Sequence, residues 1–348
     1  MNTCLEIAAL SGLERMDDQA IFLHKRDVLC FMVVRNESMR LPFFFDYYRS
    51  QGISKFFVVD NDSTDTTLSY LLEQPNTYVW HTKQAYREHK QGIGWLELLV
   101  KAYGNNRWCL IVDADEILYY PDCENKTIPE LCHQLEKQGK DTLQVTLLDM
   151  YSSTSIKETP YQRGDSFLKY FSYFDKKFYH HKQGIKKTYY WGGLRQRIFG
   201  DMVNGKTKLY CLTKFPLFRY QPTMSLFPGL HYLKNTKVAT TRGCLLHFKY
   251  FPYFKEHVIE ATQRKQYWQG AAEYHKYSKL IARNDNINLY DERYSVKFRD
   301  SQQLIEMGIM HRGGFSERLA RWMGVGEELI YNSVSLAKAC INKLMPVH

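Results

Sequence analysis

The chain has 348 residues, 44% hydrophobic and 24% charged, which is ordinary for a globular protein and long enough for one large domain with appendages or for two. Its formal charge of +10 admits nucleic acid, an anionic membrane surface or phosphorylated small molecules as partners, but the basic residues are scattered and no nucleic-acid motif accompanies them. Eight cysteines without a CxxC pair read as free thiols in a reducing compartment such as the cytoplasm, and neither a signal-peptide pattern nor an apolar run of ~20 residues is present to suggest export or membrane spanning.

Residues 1–27 read as a lead-in. "VLCFMVV", Val28 to Val34, predicts a fully buried strand. A helix follows, with Leu41, Phe44, Phe45 and Tyr48 on one stripe, Pro42 in its first turn and Gly52 at its end. A second strand, Lys55 to Val59, runs into "DNDSTDTT". A short helix then places Leu68, Leu71 and Leu72 on one face, with Asp62 or Ser63 as N-cap. A third strand is expected near Tyr78 to Trp80. It precedes a helix carrying Trp95, Leu98, Leu99 and Ala102, and a fourth strand from Trp108 to Val112. Ile128, Leu131 and Leu135 mark a further helix and "TLQVTLL" a further strand. Beyond residue 150 the pattern loosens. It becomes helical at 255–285, and a basic amphipathic helix pair is expected at 315–345, including Leu319, Trp322 and Met323.

Alternating strands and helices predict an α/β domain with a mostly parallel central sheet flanked by helices. In such sheets ligands bind beyond the carboxyl ends of the strands. Three polar clusters fall there: Arg35-Asn36-Glu37, Asp60-Asn61-Asp62, and Asp113-Ala114-Asp115. Asp113 and Asp115, with a small residue between them, make a hard-oxygen site for Mg²⁺ or Mn²⁺ whose open positions suit phosphate oxygens. Helix capping is the plain alternative. Asp60 suits hydrogen bonding to a nucleobase or ribose, or a capping turn. Arg35 or Glu37 faces the ligand on the same logic. In "YYWGGLRQRIF", Gly192 and Gly193 permit positive φ. Arg195 and Arg197 alternate on a predicted strand, so that both could clamp a phosphate from one face. His247 ends the apolar run "CLLH", as a structural histidine or a metal ligand.

Together "FMVVRNESMRLPFFFDYYRSQGISKFFVVDNDSTDTT", "WCLIVDADEIL", "LLDMYSS", "GGLRQRIF" and "CLLHFKYF" resemble glycosyltransferase family 2, in a bacterial subgroup with "RNE", "DN.S.D.T", "DaDE" and "GG.R.R.F" motifs, over roughly residues 28–310. The resemblance implies a Rossmann-like GT-A fold at 28–250, split into a nucleotide-sugar half (28–150) and an acceptor half (151–250), with a C-terminal helical region from 251. It implies a nucleotide-diphosphate sugar donor, often a uridine diphosphate sugar, and a divalent metal, Mn²⁺ or Mg²⁺. Arg35, Asn36, Asp60 and Asn61 would line the nucleoside pocket, joined by Glu37. Asp113 and Asp115 would hold ribose and metal, with Glu116 in support. His247 matches a histidine that completes the metal–diphosphate site. The implied reaction is inverting transfer to a hydroxyl of a glycan or lipid-linked envelope acceptor, at the inner membrane face if the basic tail binds there. The chain departs from the family in having no clear "ED" motif about 90 residues after the DxD. Asp149 is the expected general base, Asp201 having the right distance but a poor context. The competing expectations are nucleotidyl transfer, which the non-glycine-rich "RNESMR" loop disfavours, and a non-catalytic scaffold that binds nucleic acid or membrane.

Overall fold

A computed structural model describes residues 12–176, 179–183, 188–200, 202–203, 206–207 and 210–313. Asp201 and the expected tail helices lie outside these residues. The central sheet has nine strands: β1 (Glu14–Arg15), β2 (Val28–Val34), β3 (Lys55–Asp60), β4 (Thr77–His81), β5 (Trp108–Ile111), β6 (Glu116–Tyr119), β7 (Thr142–Asp149), β8 (Thr213–Arg219) and β9 (Val238–His247). Their spatial order is β1-β4-β3-β2-β5-β8-β7-β9-β6. β4, β3, β2 and β5 are parallel neighbours, and β9 is parallel to β7. β8 is wedged antiparallel between β5 and β7, while β6 and β1 run antiparallel at the two edges. The sheet is therefore mixed, with six strands running in one direction.

The helices cover both faces, which is why β2 reads as an unbroken apolar run. Cys30, Met32 and Val34 point into the core under α1 (Leu41–Ser50), while Leu29 and Phe31 point into the opposite core. All four residues of the expected α1 stripe are buried. In α2 (Thr67–Leu72) only Leu71 of the three leucines is buried, and Asp65, rather than Asp62 or Ser63, accepts from the Thr67 backbone N–H at 2.9 Å. α3 (Ile93–Tyr103) buries Trp95 and Leu99 of the expected stripe together with Ile93, Leu96 and Val100, and leaves Leu98 and Ala102 half-buried. α4 (Ile128–Lys137) carries Ile128, Leu131 and Leu135 as expected and begins with a capping box between Thr127 and Glu130.

Three differences from the sequence reading shape the mouth of the sheet. The acids after β5 do not cap a helix, because Glu116 begins an edge strand and Asp113 to Asp115 form the turn into it. The loosely patterned region supplies two central strands, β8 and β9. The arginine segment is a helix, α5 (Gly193–Phe199), rather than a strand. Gly192 and Gly193 sit at φ 110° and 70°, a conformation that L side chains resist, and they turn the chain into that helix. Beyond β9, α6 (Phe254–Arg264) and α7 (Trp268–Arg283) pack on each other and on α5 through Leu194, Phe254, Val258, Tyr274 and Tyr277. Among the described residues no helix is long and apolar enough to cross a membrane.

The β9–β6 edge depends on Gly243, where an added Cβ would lie 2.7 Å from the Tyr119 carbonyl oxygen. Gly243→Ala is expected to cost ~1–3 kcal/mol through overpacking. Urea denaturation should show a lower midpoint at an unchanged slope.

Candidate active site

The carboxyl ends of β2, β3, β5, β7 and β9 meet the amino ends of β6 and β8 along one edge of the sheet. Of the residues that the sequence singles out, Asp113, Asp115, Asp149, Arg195 and His247 are brought together here. His247, the last residue of β9, lies between two carboxylates. Its Nδ1 is 2.6 Å from Asp149 Oδ1 and its Nε2 is 3.4 Å from Asp115 Oδ2. Burial by itself would lower the imidazole pKa, but Asp115 and Asp149 together raise it to about 9. Asp149 and Asp115 are also desolvated. Even so, Arg195 and His247 hold Asp149, and His247 and Arg40 hold Asp115, well below the usual carboxylate range.

Asp149 is at the strand end where it was expected, but its oxygens are engaged. Oδ1 faces His247 and Oδ2 accepts from Arg195 Nε at 3.2 Å. A buried carboxylate so held is a poor proton acceptor, and its role here is to position His247 and Arg195. Arg195 continues to Glu273 at 3.5 Å, and Lys249 also holds Glu273, at 2.7 Å. Arg197 does not join it. Residues two apart on a helix project about 200° apart, and Arg197 makes a bidentate pair with buried Asp175 at 2.7 and 3.0 Å. The expected twin-arginine clamp is thus reduced to Arg195.

The acidic turn is braced from behind. Buried Glu116 accepts the Asp113 backbone N–H at 3.2 Å and pairs with Lys214 of β8, whose Nζ is also 3.8 Å from Asp113 Oδ2. Enclosure in the cleft raises the Asp113 pKa, as does Glu116, while Lys214 lowers it. Its side chain is 63% exposed, so water screens the effect.

The remaining sequence candidates fall into two groups. Arg35, Asn36 and Asn61 are engaged by the protein. Arg35 bonds Glu260 of α6 at 2.8 Å and the Asn61 carbonyl at 3.0 Å. The Asn36 side chain accepts from the Thr64 N–H at 2.8 Å, and the Asn61 amide donates to the Thr82 and Gln84 carbonyls at 3.1 and 3.0 Å. These residues shape the strand-end loops. Asp60 and Glu37 retain capacity. Asp60 is fully buried, with Oδ2 on His81 Nδ1 at 3.0 Å and Oδ1 without a partner among the described residues. Glu37 pairs through Oε2 with Arg40 at 2.7 Å. Burial raises its pKa to about 7 against the opposing pull of Arg40.

Sequence reading missed Arg40, His81, Lys214, Lys249 and Glu273, together with an aromatic collar. Tyr267 packs on Tyr86 and Tyr274 with ring centroids 5.8 and 4.7 Å apart, and the Tyr274 hydroxyl meets His257 Nε2 at 3.1 Å. The Glu37–Arg40 spacing of i, i+3 was open to reading, as was a lysine inside the apolar run "TKFPLF". Nothing local marked Glu273.

Among the described residues no three His, Cys, Asp or Glu side chains already form a metal cage. The donor types nonetheless fit a divalent ion. Asp115 Oδ2 and His247 Nε2, 3.4 Å apart, are close enough for both to reach one ion at ~2.1 Å. The Nδ1–Asp149 contact is the arrangement that orients a ligating histidine. Asp113, exposed at the mouth, would be the third donor.

No family model and no curated protein matches the chain. Solved structures do match. One is a putative glucose-1-phosphate thymidylyltransferase from Bacillus anthracis in complex with a sucrose, with a TM-score of 0.26 and 9% identity over 40% of this chain. The match spans 65% of that protein's length. At that TM-score the likeness carries no argument for fold or activity, so the functional reading stands on the site.

Because the folded-state pKa of His247 is raised above its unfolded value, the stability it contributes is fully present below pH ~6.5 and is lost as pH rises through about 9. Metal-free protein should lose stability on the order of 2–3 kcal/mol across that window. His247→Gln should flatten the profile, as read by denaturation midpoints at pH 6, 7.5 and 9.

Proposed function

We propose that the chain is a metal-dependent glycosyltransferase of family 2 with a GT-A fold, moving a sugar from a nucleoside diphosphate, uridine diphosphate by preference, to a hydroxyl of a glycan or lipid-linked acceptor with inversion. The observation that carries the reading is the meeting of Asp115, from the turn after β5, with His247 at the end of β9, on the sheet edge that also holds Asp60 and its unpartnered buried oxygen. That pairing juxtaposes a hard-metal donor set with an acceptor for a base N–H, the two features that a nucleotide-sugar site needs.

In this reading Asp113, Asp115 and His247 hold Mn²⁺ or Mg²⁺, which as a Lewis acid stabilises the charge of a departing diphosphate. Asp149 orients His247, and Asp60, backed by His81, takes the nucleobase. The tyrosine collar encloses the cleft and limits water. The proton of the attacking hydroxyl passes to Glu37. Its Oε1 accepts no hydrogen bond from a described residue, and its proton affinity lies near neutrality, where a general base works best. The bond from the anomeric carbon to the phosphate oxygen breaks and its electron pair stays on the phosphate.

Titration with uridine, guanosine, cytidine and thymidine diphosphates, with and without Mn²⁺, tests the reading. One nucleotide should stabilise the wild type far more with metal, and Asp115→Ala should abolish that gain. No stabilisation by any of them would overturn it. Glu37→Gln should bind the same nucleotide within about twofold while turnover falls ~10²–10⁴-fold. Equal losses in binding and turnover would remove Glu37 from the proton-accepting role.

A further inference from the structure

We propose that Lys214 is the protein's own clamp for the donor's diphosphate, a second cation that acts beside the metal and binds the leaving group even in its absence. The inference rests on the nucleotide-sugar reading and adds to it a residue that neither the motifs nor the strand pattern assign.

The first argument is position among the cations at the mouth. Arg35 is held by Glu260 and by the Asn61 carbonyl, and Arg40 by Glu37. Arg195 lies between Asp149 and Glu273, with Nη2 buried and without a hydrogen-bond partner among the described residues, Lys249 is on Glu273, and Arg197 is on Asp175. Besides His247, which lies on Asp115, Lys214 reaches the Asp113–Asp115 turn itself, touching Glu116 and lying 3.8 Å from Asp113. An ammonium has three N–H donors. Among the described residues one hydrogen bond of Lys214 is accounted for, to Glu116, and the flexible four-carbon stem lets the others turn to a phosphate beside Asp113.

The second argument is the backbone that delivers it. β8 runs against its neighbours, so its first residues, rather than its last, arrive at the mouth. Its pairing with β7 slips between Lys214 and Leu217, at Phe215-Pro216. Such bulges re-aim a side chain beside functional sites. Pro216 has no N–H to give the ladder, so the break beside Lys214 is built into the sequence. Burial, with Lys214 and Arg195 acting the same way, pushes the neighbouring His231 down to about 4. It stays neutral and does not compete for an anion.

When the sugar leaves, negative charge develops on the phosphate oxygen, and a preplaced ammonium in a cleft with little water stabilises it without reorganisation. Lys214 donates hydrogen bonds and transfers no proton.

The test uses the full chain in EDTA, with uridine diphosphate, uridine and inorganic pyrophosphate as probes in calorimetric titrations. Lys214→Met should weaken diphosphate and pyrophosphate binding at least tenfold and leave uridine within twofold. Lys214→Arg should restore most of the loss. Because Lys214→Met strands the buried Glu116 charge, the Lys214→Met/Glu116→Gln double variant should show the same selective loss in a fold no longer carrying that charge. Uridine diphosphate binding that is unchanged in either Met variant, or lost in parallel with uridine, would overturn the clamp while leaving the donor reading intact. Pyrophosphate binding that depends on Lys214, without any uridine diphosphate preference, would support the clamp and overturn the choice of nucleotide. Absence of binding by all three to the wild type, repeated with Mn²⁺, would overturn both.

Discussion

The His247 bridge between Asp115 and Asp149 organises the edge of the sheet. Three segments far apart in sequence end at this point: the turn after β5, the end of β7 and the end of β9. Each brings a group that would be costly to bury alone, and the cost is offset only because the others meet it at hydrogen-bond range. The network does not stop there. Asp149 passes to Arg195, Arg195 to Glu273, and Glu273 to Lys249, so the helical layer of α5 and α7 is fastened to the strand ends by the same chain of charges. The groups that would hold the proposed metal are therefore also the ones that fasten the fold.

This arrangement divides the mouth into two kinds of polar group. One kind is spent on shape: Arg35, Asn36 and Asn61 lock the loops after β2 and β3 to each other and to α6. The other includes oxygens that accept no hydrogen bond from a described residue, Asp60 Oδ1 and Glu37 Oε1, and the solvent-facing Asp113. Residue type does not separate the two groups, since each holds residues from the same short motifs. What separates them is whether the protein already supplies a partner.

The arginine segment shows how a local reading goes astray. "GGLRQRIF" was read with a period of two and as a shared face. The glycine pair instead turns the chain into a short helix, where the same two-residue spacing throws Arg195 and Arg197 to opposite sides. Asp149 lies at the strand end expected of it, and the sequence cannot show that Arg195 and His247 already hold its oxygens. In α3 a window rich in leucine and tryptophan supports more than one apolar face, and the sheet beneath keeps Trp95 and Leu99 of the expected stripe buried but not Leu98 and Ala102.

What the sequence determined by itself is what short range can carry. Unbroken apolar runs specify strands covered on both faces, the 3.6-residue stripe of α1 specifies its buried side, and the placing of acids after those runs specifies the edge at which a ligand would meet the sheet. The tertiary structure alone decided which charges face one another. Lys214 and Glu116 are 98 residues apart, as are His247 and Asp149, and Arg195 and Glu273 are 78 apart. Those pairings follow from the insertion of β8 between β5 and β7 and from the return of β9 beside β7. That order is set by how the whole sheet buries its two faces, and no local pattern of residues encodes it.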